Sequence, residues 1–316
     1  MASRADRAPW TVRLFGKLDV RVGREKFDTL PGRRTKELLC YVLLFRERPH
    51  HREVLAGKLW PESDTAQSRK YLRQSLWHLR ALDRCAGDAV SLLDLETDWV
   101  AVRCVDLWLD VAEVEDAFAP VRLVVGEELT GQQARRLQQV VSVYGGDLME
   151  GCYLDWCVYE RERLKALYIA LLEKLLGYYE AQRLPEEGIT YGEELLRQDP
   201  AHERAHWRLM RLHYLSGNRT AALRQFKRCS EALADELGVL PGNRTVRLHE
   251  QIRADRGIDP PCDAPVSGTT AGGPLSGPPA DPAPRNVSAL HEALRALFRA
   301  ENLVQQTIRA TRERHS

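Results

Sequence analysis

Apolar and polar residues alternate through VRLFGKLDVRV (12–22), the period of half-buried strands. Two short strands about Gly16–Lys17 are predicted, with Val12, Leu14, Leu18 and Val20 inward, and a third strand is expected over 25–29. From Arg33 the period becomes helical and runs to about residue 48, with Leu38, Leu39, Val42 and Phe45 on one face and Pro49 as the stop. A short helix fits 52–60, ended by Pro61. A long Arg-rich helix fits 65–83, capped by Ser63 or Asp64. After Gly87, 90–94 and 99–102 read as a hairpin joined through Glu96–Thr97–Asp98. Strands, three helices and a closing hairpin are the order of a winged helix-turn-helix of α+β class over 11–104, behind a disordered 1–10.

Beyond residue 105 the pattern is helical throughout. Helices are predicted over 110–118, 130–144, 155–182, 186–198, 202–216, 219–236 and 243–254, separated by Gly, Pro and Asn signals such as Gly145–Gly146, Pro185 and Gly217–Asn218. The later ones pair into units of about 34 residues, the spacing of tetratricopeptide-like repeats. Tyr178, Tyr191, Ala205, Leu209, Tyr214, Ala222 and Phe226 occupy the packing positions of such units. An all-α helical-repeat domain over 105–255 follows. Eight of the sixteen prolines lie in 260–284, so 256–287 is expected to be a disordered linker. A last helix is expected over 288–314, where Leu290, Leu294, Leu297, Val304 and Ile308 form a thin stripe that either docks or dimerises, or frays.

Charge divides along the chain. Residues 1–84 hold 19 Lys and Arg against 10 Asp and Glu, whereas 105–255 hold 19 against 25. A basic front and an acidic middle point to a polyanion partner for the front alone. At 100° per residue along the third helix, Leu72, Leu76, Leu79 and Leu82 share the inward arc. The opposite arc carries Arg69, Lys70, Arg73, Gln74, Trp77, His78 and Arg80, without the mixture of signs a solvated face uses for i,i+4 pairs. Arg and Lys can donate to guanine O6 and N7, and Gln can read adenine in a major groove. Arg33, Arg34 and Lys36 at a helix start suit phosphates.

KLWPESDTAQSRKYLRQSLWHLRAL (58–82), LFGKLDVRV and RRTKELLCYVLLF together resemble the winged helix of SARP-type antibiotic regulatory activators, relatives of the OmpR-type effector domain. DPAHERAHWRLMRLHYLSGNRTAALRQFKRCSEALADELGVLPG (199–242) resembles that family's bacterial transcriptional activator domain, and the likeness extends over about 11–254. It implies a sequence-specific activator, of a biosynthetic gene cluster, that binds promoter direct repeats and recruits RNA polymerase through its sigma or alpha subunit. Homodimers or cooperative assembly on duplex DNA are compatible with it. Pro61, Glu62, Ser63 and Asp64 correspond to the loop that relatives can present to polymerase; the Trp60 ring beside it reads as core. The hairpin tip departs from the family's often basic wing: Asp94, Glu96 and Asp98 make minor-groove contact by it doubtful. The competing reading is a repeat scaffold with a degenerate winged helix.

An enzyme is not expected. Seven scattered cysteines form no C-x-x-C pair and no zinc module. His202, Glu203 and His206 match H-E-x-x-H literally, but the string falls inside the repeat stretch and Arg204 and Arg208 would crowd a cation. No metal and no cofactor is expected. No G-x-x-x-x-G-K-[ST] occurs and no receiver domain precedes the winged helix, so control within the chain by nucleotide or phosphoacceptor is not expected. The longest apolar run, 38–45, cannot span a membrane, and the expected location is the cytoplasm, at the nucleoid.

Overall fold

The computed structural model describes residues 10–23, 25–27, 30–86, 91–103 and 107–257. Strands β1 (Trp10–Arg13), β2 (Asp19–Val22) and β3 (Glu25–Lys26) form an antiparallel meander. Helices α1 (Arg33–Leu44), α2 (Arg52–Leu59) and α3 (Thr65–Ala86) follow, with β4 (His50–His51) between the first two. Strands β5 (Leu93–Leu95) and β6 (Trp99–Val102) make the closing hairpin, and β4 pairs with β6. This is a winged helix-turn-helix. Its inward positions are those of the alternation: Val12, Leu14 and Val20 are buried, as are Leu38, Leu39 and Val42 of α1. Leu18 and Phe45 are half-buried and pack on the same core.

Two short strands, β4 and one more, escaped the sequence pattern, and the second changes the picture. Leu107–Leu109, β7, runs parallel to β1 and completes the sheet order β3-β2-β1-β7. The residue after it, Asp110, is fully buried and accepts hydrogen bonds from the amides of Leu14 and Phe15 at 2.8 and 2.9 Å. Further on, Gly16 N–H donates to Asp147 and Met149 N–H to Leu14. The change of pattern near residue 105 therefore marks no break in packing: one hydrophobic core runs from Trp10 to Tyr179.

The helical part comprises α4 (Asp110–Phe118), α5 (Gly131–Val141), α6 (Asp155–Ala181), α7 (Pro185–Gln198), α8 (Glu203–Leu215), α9 (Arg219–Leu237) and α10 (Asn243–Arg253). Each edge falls within a few residues of its prediction, because caps and breakers stand where the backbone needs them. Thr130 and Gln133 form a reciprocal capping box on α5. The later helices stack as tetratricopeptide-like hairpins. Ala205, Leu209 and Ala222 are buried at the crossings, and Tyr191, Tyr214 and Phe226 are half-buried around them. The linker and the helix expected over 288–314 lie outside the described residues. Among those described, no helix is long and apolar enough to cross a membrane.

Candidate nucleic-acid interface

Helix α3 is held from beneath. Leu72, Leu76 and Leu79 are buried, and Asp64 caps the helix start, its Oδ1 accepting from Gln67 N–H at 2.8 Å. The Leu82 side chain lies outside the described residues. The core contacts of one face force the other outward: Arg69, Lys70, Arg73, Gln74 and Arg80 are exposed and His78 is half-buried. Trp77, 60% exposed, stands in the middle of them with its ring 5.1 Å from that of His78.

Tertiary structure splits this arc into two flanks. On one side, Arg73, Trp77 and Arg80 line a groove of about 380 Å³ with Arg52 of α2 and Glu96 and Thr97 of the hairpin tip. The Arg52 amide donates to Asp98 C=O, which fixes the tip against the start of α2, and its buried Nε has no hydrogen-bond partner among the described residues. On the other side, Gln74 and His78 face the start of α1 across a second hollow that contains Arg33 and Arg34. These two are exposed or half-exposed and are anchored by Glu37, which is buried. Arg33 Nε donates to its Oε1 and Arg34 Nη1 to its Oε2, both at 2.8 Å. Lys36 is half-buried on the same helix.

The face is less purely cationic than the helix alone suggests. Glu53 of α2 pairs with Arg69, and Glu96 reaches the groove from the tip. Both carboxylates come from neighbouring elements, so the helical periodicity of α3 gives no sign of them; Arg52 was equally invisible as a member of the face. In the loop before α3, the Trp60 ring is only 8% exposed and lies 6.1 Å from Tyr71, a core position. Pro61, Glu62 and Asp64 are exposed and Ser63 is half-buried, with the Asp64 carboxylate already committed to the cap.

The H-E-R-A-H string has a structural use for each of its acid and imidazole groups. His202 Nδ1 caps α8 by accepting from Ala205 N–H. His206 is buried with both ring nitrogens engaged: Nε2 lies 2.9 Å from Pro200 C=O and Nδ1 2.7 Å from Gln225 Nε2. A proton on Nε2 satisfies both contacts and leaves no lone pair for a metal. Glu203 accepts from Gly242 N–H at 2.8 Å and from the Thr245 hydroxyl, tying α8 to α10. No group of three metal-ligating side chains occurs among the described residues. Of the seven cysteines, Cys40, Cys152, Cys157 and Cys229 have described side chains, all buried free thiols.

Residues 109–253 match the family described as the bacterial transcriptional activator domain. Among solved structures, Mycobacterium tuberculosis EmbR, determined in complex with a low-affinity phosphopeptide, superposes with a TM-score of 0.57. That match has 21% identity and covers 80% of this chain and 67% of EmbR. At that identity the likeness is one of fold. The Sgt2 TPR domain from Aspergillus fumigatus is 17% identical over 51% of this chain and 89% of its own, with a TM-score of 0.29 that is too low to bear on the architecture. No curated protein matches the chain.

Proposed function

We propose that this chain, a SARP-type transcriptional regulator by its winged helix and its bacterial transcriptional activator domain, binds duplex DNA by seating α3 in the major groove. The observation that carries this reading is the α3 face itself: five exposed donors around an exposed Trp77, on a helix whose other side is core. Arg69, Lys70, Arg73, Gln74, Trp77, His78 and Arg80 meet base edges and adjacent phosphates. Arg33, Arg34 and Lys36 position the domain on the backbone, and Arg52 joins the opposite flank.

The site is a promoter direct repeat of a biosynthetic gene cluster, filled by a homodimer or by cooperative copies. Pro61, Glu62, Ser63 and Asp64 present an acidic, exposed turn to RNA polymerase, at its sigma or alpha subunit, and the protein works at the nucleoid in the cytoplasm. The functional division follows 11–104 for DNA and 105–255 for protein contacts, although the two share a core. The chain performs no catalysis in this reading. The test is a mobility shift of the full chain on duplexes from the adjoining promoters across a salt series. Sequence-dependent retention that weakens with salt supports the proposal. Retention that ignores both sequence and salt leaves the repeat-scaffold reading in its place.

A further inference from the structure

The hollow between α1 and α3 has chemistry of its own. Its volume is about 440 Å³, and an aromatic wall of Trp60 and Tyr71 faces the first turn of α1. That turn is unusual in three respects. The cap position is Gly32 at φ +81°, with no side chain to cap the helix, and the first turn holds no acid. Among the described residues nothing accepts from the amides of Arg33, Arg34 and Thr35. Orphan amides at the start of a twelve-residue helix carry partial positive charge and point outward along its axis.

Two hydroxyls supply an independent observation. Thr35 is 3% exposed and Ser75 6%, and both line the hollow, yet neither hydroxyl has a hydrogen-bond partner among the described residues. Nor is either oxygen among the buried atoms sealed from solvent without a partner, so both open onto the hollow. Serine and threonine inside a helix ordinarily bond back to the preceding turn, as Ser68 does to Thr65. Here one hydroxyl from α1 and one from α3 instead face a common space.

The guanidiniums complete the set. Glu37 takes one N–H from each of Arg33 and Arg34, which fixes both side chains and, among the described residues, leaves the remaining donors of each fork unused. A carboxylate that immobilises two cations costs the hollow one charge and preorganises the other.

We infer that this hollow is a seat for a phosphate group, bound by the start of α1, the Arg33 and Arg34 guanidiniums and the Thr35 and Ser75 hydroxyls, with Trp60 and Tyr71 flanking what the phosphate is attached to. Backbone amides at a helix start, with hydroxyl and bidentate guanidinium donors, form the donor set that tetrahedral oxyanions require. The phosphate belongs either to the backbone of the bound duplex or to a small phosphate monoester. The first source rests on the DNA-binding reading and deepens it at the α1 flank; the second stands without it.

The test uses the full chain and a Thr35→Val/Ser75→Ala double variant. Neither change removes a hydrogen bond within the protein, and an unchanged thermal midpoint verifies the fold. Inorganic phosphate and phenyl phosphate are titrated by calorimetry without DNA, and each single ethylated-phosphate position in the duplex is then scanned for interference. Saturable binding of either phosphate, weakened at least tenfold in the double variant, establishes the seat for a small monoester. An ethylation that hinders the wild type but not the double variant assigns the seat to the duplex backbone. If neither phosphate binds and no ethylation separates the two proteins, or if both bind phosphate equally, the inference is overturned. Because the phosphate titration contains no duplex, its failure is distinct from failure of the α3 assignment, which Arg73→Ala tests.

Discussion

The salt dependence of DNA binding can be worked from the charges around α3. Arg52, Arg73 and Arg80 line the groove at the hairpin tip together with Glu96, and on the same exposed α2–α3 surface Arg69 is paired with Glu53. Each phosphate neutralised contributes about −0.9 to the slope of log affinity against log salt. From this flank alone, four unopposed arginines contribute about −3.6 per protomer to the slope, and two carboxylates that each cancel one cation reduce that contribution to about −1.8. Raising salt from about 50 to 200 mM then weakens binding roughly 12- to 150-fold through this flank, before the backbone contacts of the α1 side are added. Glu96→Gln removes one of the opposing charges. It should tighten binding at low salt and steepen the slope by about 0.9. Arg73→Ala should behave differently if Arg73 reads a base: specific affinity falls by about 1–3 kcal/mol while non-specific binding changes little. The assay is fluorescence anisotropy with specific and scrambled duplexes over that salt range. A slope flatter than about −1, or a Glu96→Gln variant that binds more weakly, would refute the assignment of this flank to DNA.

Three further outcomes are expected. Gly126→Ala should lose about 2–3 kcal/mol of stability in urea unfolding, because a Cβ there would sit 2.4 Å from the Lys174 carbonyl and 3.1 Å from the Gly177 Cα; a loss below about 0.5 would show that this close approach is not needed. Burial holds the His206 imidazole below its ordinary pKa, so the unfolded chain takes the proton first and stability declines as pH falls through about 6.5. His206→Gln should flatten that decline between pH 7.5 and 5.5, and identical pH profiles would contradict the buried neutral ring. Glu62→Lys should lower promoter-directed transcription in vitro while leaving DNA affinity within twofold of wild type; unchanged transcription would remove the 61–64 turn from polymerase contact.

How far the sequence could be read depended on whether a feature was periodic. The span of α6 extends over seven turns, so its apolar positions repeat often enough to locate both ends near Asp155 and Ala181. Strands β4 and β7, of two and three residues, have no period to detect, and β7 exists only because β1 offers an unpaired edge. Asp110 illustrates the same limit in a single residue. In sequence it is one acid among many at a helix start, where an acid is ordinarily solvated and favoured by the helix dipole. In the fold it becomes the acceptor for the two amides that follow β1 as well as for Val111 N–H, and desolvation pushes its pKa up to about 6 despite those bonds.

The α3 face shows why a correct arc of residues is still not a site. A helical projection ranks seven side chains by angle and treats them as one surface. In the folded chain five of the seven divide between a groove shared with α2 and the hairpin tip (Arg73, Trp77, Arg80) and a hollow shared with α1 (Gln74, His78). The division has chemical content. The tip-side cations share their surface with Glu53 and Glu96, which weakens its field. Among the described residues the α1-side flank has one carboxylate, Glu37, buried beneath the arginines. An approaching polyanion meets opposing charge on the first flank and donors on the second. Non-specific affinity is therefore expected mainly from the α1 side, and sequence discrimination from the tip side. Charge-neutralising substitutions on the two sides should separate these properties: Arg80→Ala changes which sequence is preferred, and Arg34→Ala weakens all sequences alike.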